Sequence, residues 1–197
     1  MNLSKITVSL LAGVTLALIG CTQTKTTEAG TEQPATDTVT TVETIETAIN
    51  TFITDSIAAN YEPAELTIPC VHIVATDTTD TTDIRVWGNF YVFNYNIAGD
   101  TLKTVSGGSY PGLIHIRKTG ANYAVTAFDR VEDGSNYLPS AKRIFGDKLD
   151  AFEKITSNDS LREEQRAAMI ADHVKRNGLS VKLYQDYGWP ARPIPTK

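Results

Sequence analysis

Apolar residues from position 42 onward recur at helical intervals. Val42, Ile45, Ile49, Phe52, Ile53 and Ile57 fall on one face, while Glu43, Glu46, Asn50 and Asp55 take the other. The spacing predicts a helix that stops near Asn60, ahead of Pro63. The period then changes to two. Residues 66–75 are rich in branched side chains and predict a strand. After the polar stretch 77–83, residues 84–97 alternate, with Ile84, Val86, Gly88, Phe90 and Val92 on one face. Arg85, Trp87, Asn89, Tyr91, Phe93 and Tyr95 lie on the other. Ala98-Gly99-Asp100 is a tight-turn signal that joins this strand to residues 101–105 in a hairpin. The glycine-rich 106–112 interrupts the pattern as a bulge or strand corner. Strand character returns at 113–117 and, beyond a second turn at 118–122, at 123–131.

The last third goes back to helical spacing. Ser140 opens a helix through Ile155 that is weakened by Gly146, and Ser160-Leu161-Arg162-Glu163 is a capping box for a second one, closed by Asn177-Gly178. Residues 181–184 form a short edge strand. The expected fold is α+β: an N-terminal helix packed on a four-stranded antiparallel meander, then two C-terminal helices and a short terminal strand or tail. Tyr184, Tyr187 and Trp189 crowd the end of the ordered part, and leaving three such rings wet is costly. The segment 184–190 is therefore expected to dock, with Trp189 largely buried. Residues 191–197 are a tail.

The pattern at the N-terminus is of another kind. Lys5 follows a short polar start, and residues 6–19 are an uncharged apolar run, shorter than the roughly 20 residues of a membrane span. The run ends in Leu18-Ile19-Gly20-Cys21, which resembles the lipobox of bacterial lipoproteins. The resemblance implies a signal peptide over 1–20, cut before Cys21, whose thiol and new amine carry acyl chains; two or more chains give stable anchoring. Residues 22–40 are mostly Thr, Glu, Gln, Ala and Gly with a single proline and no aromatic or branched aliphatic residue before Val39, and cannot bury enough apolar surface to order themselves. They read as a lipidated tether over 21–40, ahead of one globular domain over 41–190. The membrane is the expected partner through Cys21. The absence of an acidic cluster after Cys21 favours an outer-membrane position facing the periplasm.

The chain carries a net charge of −5, and removing the leader with Lys5 makes it one unit more acidic. Nucleic acid wants clustered Lys and Arg and is excluded as a partner. Cys70 has no second cysteine once Cys21 is lipidated, and its apolar strand setting reads as a buried, inert thiol. Cys70 and His72 leave one strand face together, yet two ligands do not make a zinc site, and His115 and His173 lie elsewhere. Asp77, Asp80 and Asp83 lack the spacing, glycine and closing Glu of a calcium loop. No metal or cofactor is expected. Ser109, His115 and Asp129 supply the residue types of a triad without a nucleophile elbow around Ser109.

The aromatic face of 84–97 is the remaining candidate. Trp87, Asn89, Tyr91 and Tyr95, with His115 and Trp189, would make a ligand-binding surface of aromatic platforms and a few polar groups. Alternatively the C-terminal helices cover that face, because the opposite one already holds the first helix. Val86-Trp87-Gly88-Asn89-Phe90, residues 106–112 and Tyr184-Gln185-Asp186-Tyr187-Gly188-Trp189-Pro190 resemble segments of a group of uncharacterised bacterial lipoproteins, over most of 42–190. The order helix, then meander, is similar to the cystatin-like and nuclear-transport-factor-like cone folds, which host enzymes and binding modules alike. Two functions follow as expectations: a non-catalytic module binding a small molecule, glycan or protein, or an enzyme with His72, His115 or Asp129 as general base.

Overall fold

A computed structural model describes residues 44–196. The expected signal peptide, Cys21 and the tether lie outside these residues, as do Val42, Glu43 and Lys197.

Helix α1 (Ile45–Phe52) starts where the Thr44 hydroxyl accepts from the Thr47 N–H, a side-chain cap for an otherwise orphaned donor. It runs on through a π turn (Ile53–Ile57) and a 3-10 turn (Ala58–Asn60), where the Asn60 amide donates to the Ser56 and Ile57 carbonyls. Strands β1 (Leu66–Asp77), β2 (Ile84–Ala98), β3 (Thr101–Thr119) and β4 (Asn122–Arg130) pair in sequence, all antiparallel. Helices α2 (Tyr137–Phe145), α3 (Leu149–Thr156) and α4 (Asp159–Arg176) follow, then β5 (Leu183–Gln185) and β6 (Arg192–Pro193).

The sheet thus has six strands, not four. β5 adds to β3 in parallel, at Thr101–Lys103, and β6 pairs antiparallel with β5. The last strands do not merely extend a meander: β4 holds the outer edge of β3 from Gly112 to Thr119, and β5 holds the same edge at the other end. The expected tail begins as β6, and Ile194 is buried with Tyr95, Leu102 and Tyr184.

Three further corrections have local causes. Residues 106–112 do not split β3; the interruption is a bulge opposite Asn94 and Tyr95, and the strand continues through the glycines. A Cβ on Gly108 would lie 2.2 Å from the Tyr61 hydroxyl, which pairs with the Tyr110 hydroxyl at 2.6 Å, so the glycine makes room for that pair. The helix expected over 140–155 is two helices, because Gly146 takes φ 53° and ψ −122° and turns the chain between them. Helix α4 starts two residues early: Asn158, not Ser160, caps it by accepting from the Leu161 N–H.

Alternation sorts the core as expected. Ile84, Val86, Phe90 and Val92 of β2, with Ile114 and Ile116, bury against Ile49, Ile53 and Ile57. The opposite face of the sheet is covered by the C-terminal elements, in two separate clusters.

Candidate functional site

The aromatic face of β2 has three fates along its length. At one end Trp87 packs with Leu113, Val131, Ala141, Phe145 and Phe152, and the rings of Phe145 and Phe152 stack at 4.2 Å. Its indole N–H donates to the Ile144 carbonyl at 2.9 Å, so its one polar atom is satisfied from α2. At 7% exposure Trp87 is core, and a ligand has no access to its ring. At the other end Tyr95 is fully buried with Ile68, Cys70, Leu102, Ile170 and Tyr184. Burial pushes the Cys70 thiol up to about 12, which keeps it protonated and unreactive.

Between these ends lies an open cleft of about 670 Å3. Its floor is Tyr91 and Phe93 of β2, whose rings run parallel at 5.9 Å, with Gly107 and Ser109 of β3 and His72 of β1. The wall is the first half of α4, which presents Asp159, Arg162, Glu163 and Arg166, and Tyr187 and Arg192 form the rim. Gly107 has a local reason: a Cβ there would sit 2.7 Å from the Val92 carbonyl and 3.2 Å from the Phe93 ring.

A polar chain crosses this floor. The Ser109 hydroxyl donates to Asn89 Oδ1 at 2.9 Å, and Asn89 Nδ2 donates to the Tyr91 hydroxyl at 2.8 Å. Hydrogen bonds to Tyr91 and to Asp159 hold the Arg162 guanidinium firmly charged. Arg162 Nε and His72 Nδ1 are nevertheless buried without a partner in the protein. Buried polar atoms are normally paired; the other two without a partner among the described residues, Gln165 Oε1 and His173 Nε2, line a second cleft of about 850 Å3 between α1, β1 and α4.

The rim is positioned by Arg166. Its guanidinium makes two 2.8 Å bonds to Asp186, donates to the Tyr95 hydroxyl at 3.0 Å and stacks on Phe93 at 4.0 Å. Burial alone would lower the pKa of Arg166; the hydrogen bonds to Asp186 and Tyr95 outweigh it and raise the pKa. The Thr104 hydroxyl also donates to Asp186, at 2.6 Å. The segment after β5 is therefore locked through Asp186, as docking requires. Its aromatic side chains do not follow suit. Tyr187 is 96% and Trp189 65% exposed, contrary to the expected burial of Trp189, because the turn that closes with the Trp189 N–H on the Asp186 carbonyl points both rings outward. Trp189→Ala is therefore expected to shift the melting temperature by no more than about 2 °C, the scale of a surface change within ±0.5 kcal/mol. A drop of several degrees in thermal unfolding would restore the structural role.

Of the residues proposed from sequence, Tyr91 and Asn89 meet at the cleft, and Tyr95 lies beneath it. Trp87 is enclosed elsewhere, and Trp189 sits on the rim turn. His115 is remote: its Nδ1 lies 2.7 Å from Asp83 and its Nε2 3.4 Å from Asp129, while Ser109 is engaged with Asn89. These three form no nucleophilic triad. Among the described residues no group of three or more potential metal ligands comes together. Sequence reasoning missed Arg162, Arg166, Arg192 and Tyr187; the three arginines look like ordinary solvated charges until α4 and β6 are folded over the sheet.

Burial lowers the pKa of His72, with Arg162 adding to it, and burial likewise lowers His173. Each is held below the usual 6.5, so the unfolded chain takes up protons near that pH that the folded chain refuses. Stability is expected to be full above pH 6.5 and to decline below it. Urea unfolding at pH 7.5 and 5.5 measures this: His72→Gln should narrow the difference, and a chain equally stable at both values would contradict it.

Comparison with known proteins finds no match, whether to family models, curated proteins or solved structures.

Proposed function

We propose that the chain is an exported, lipid-anchored envelope protein whose domain is a non-catalytic binding module, with the cleft over Tyr91 and Phe93 as its binding site. The anchor rests on the order of Lys5, the apolar run 6–19 and Leu18-Ile19-Gly20-Cys21. Among the described residues no helix is long and apolar enough to cross a membrane. The observation that carries the binding site is the joining of two orphaned groups, on Arg162 and His72, with the aromatic floor of Tyr91 and Phe93, a floor that the second cleft with its orphaned Gln165 and His173 lacks. Aromatic floor, a few fixed polar groups and an open mouth are the usual makings of a ligand site.

The enzymatic alternative has one observation in its favour, a buried histidine of lowered pKa in the cleft. A general base needs a nucleophile or an acid to work with. Cys70, the nucleophile nearest in sequence, is fully buried and holds its proton, and the Ser109 hydroxyl in the cleft donates to Asn89 and not to His72, so binding is the better-supported function.

Two experiments test the two halves. Cys21→Ser should release the exported protein from the membrane fraction; full membrane association and normal processing of the variant would sink the anchor. For the site, the isotope-labelled full chain in detergent is titrated with a mixed panel of peptides, oligosaccharides, carboxylates and phosphates. Amide shifts are expected at residues 91–93, 104–109, 162 and 187. Shifts clustered instead around Trp87, Leu113 and Phe145 would place binding elsewhere.

A further inference from the structure

The cleft has a property that a pocket on a sheet face would lack: six consecutive residues of β3, Thr104 to Ser109, line it. Side chains on a strand alternate between faces, so a cavity touching all six lies along the strand's edge and meets its backbone. That edge is bare. β5 pairs with β3 only at Thr101–Lys103, and β4 only from Gly112 onward, apart from one bond from the Val131 N–H to the Pro111 carbonyl. Between them, residues 104–110 have no strand partner on that side among the described residues.

Bare edges invite pairing, and proteins blunt them with proline, charge or bulges. Of the other free edges, on β1, β4 and β6, the longest, on β1, has Pro69 within the strand and a bulge between Ile73 and Ala75. The gap in β3, Thr104-Val105-Ser106-Gly107-Gly108-Ser109-Tyr110, holds no charge and no proline, and its bulge lies at one end only. Seven residues span roughly 23 Å at about 3.3 Å each, so a pentapeptide fits between β4 and β5.

One unmet group says what such a peptide carries. Arg166 and Arg192 are matched by Asp186 and Glu163, and Arg162 has one guanidinium nitrogen on Asp159. Arg162 Nε still lacks an acceptor.

Resting on the cleft as binding site, we infer that its ligand is a short extended peptide bearing a carboxylate, which adds as a strand to β3 between β4 and β5, with its carboxylate on Arg162. Main-chain hydrogen bonds supply the affinity in such strand addition, and the neighbouring pockets the selectivity. Tyr187 then covers the bound strand from the rim.

A positional-scanning pentapeptide pool, in free-acid and amidated forms, tests this on the full chain in detergent. Chitotetraose and inorganic phosphate are titrated alongside. Peptides are expected to bind and to slow amide hydrogen exchange within 104–110. Methylating the backbone nitrogens of the best peptide should cost tenfold or more in one alternating register and little in the other. Arg162→Gln should weaken the peptide about tenfold with an unchanged melting temperature. If amidation costs as much as Arg162→Gln, the carboxylate is the peptide's C-terminus; if only free acids and amides with Asp or Glu bind alike, it is a side chain. Binding of chitotetraose or phosphate without any peptide would overturn the peptide while keeping the cleft. Silence from the whole pool, insensitivity to N-methylation, or a dimer that protects 104–110 without peptide would also overturn it. Peptide binding with shifts remote from 91–93 and 104–109 would overturn both peptide and cleft.

Discussion

Asp186→Asn is expected to destabilise the domain by about 2–4 kcal/mol, somewhat under the ~3–5 kcal/mol for breaking a wholly buried ion pair, since water reaches Asp186. The asymmetry of the pair drives the effect. Arg166 is only 8% exposed at its side chain and Asp186 40%, so losing the carboxylate charge strands a buried guanidinium. Arg166→Met is the informative partner variant. It keeps much of the packing on Phe93, Tyr95 and Tyr184 and leaves Asp186 free to hydrate, so it should cost less than Asp186→Asn. At about 2–4 °C per kcal/mol for a domain of this size, Asp186→Asn should lower the melting temperature by roughly 4–16 °C. The same variant should free the Tyr187 turn and raise amide exchange at residues 186–189. Equal melting temperatures for wild type and Asp186→Asn would show that the segment is held by β5 and β6 alone.

Trp87→Ala should cost about 3–5 kcal/mol, the range for deleting a large core aromatic. The ring fills the space between β2, β3 and the α2–α3 pair, where little can collapse inward because Phe145 and Phe152 are already stacked. Trp87→Phe removes the bond to the half-buried Ile144 carbonyl, for a smaller loss of about 1–3 kcal/mol. Chemical denaturation of both variants checks the order. A Trp87→Ala domain as stable as wild type would mean that the ring is accessible surface after all.

Legibility followed the range of the interactions. The first helix with its stop near Asn60, the alternation of β2 and the Gly99 turn were readable because each is set by neighbours in sequence. The continuity of β3 through its glycines was not, since it depends on Tyr61 and Tyr110 meeting across the sheet. Nor was the parallel addition of β5, where three residues find their place only after α4 has crossed the sheet. At the site, the aromatic stripe announced itself, but its division into core, cleft and core did not. Tyr91 and Trp87 share a face and a residue class; what separates them is that α2 and α3 stop short of Tyr91. Docking was expected for the whole of 184–190 from its aromatic content, yet only Tyr184, Gln185 and Asp186 are held against the domain while Tyr187 to Pro190 are exposed, so aromatic density did not predict which part of the segment packs.

The central claim is that binding belongs to the cleft and stability to the covered parts of the same face. Tyr187→Ala and Trp87→Ala, compared for melting temperature and for affinity toward the tightest-binding member of the titration panel, test it most directly. Tyr187→Ala should weaken binding several-fold and leave the melting temperature within about 2 °C, whereas Trp87→Ala should lower the melting temperature by roughly 6–20 °C and leave affinity for the folded protein unchanged. Loss of affinity in Trp87→Ala, with wild-type affinity in Tyr187→Ala, would contradict it.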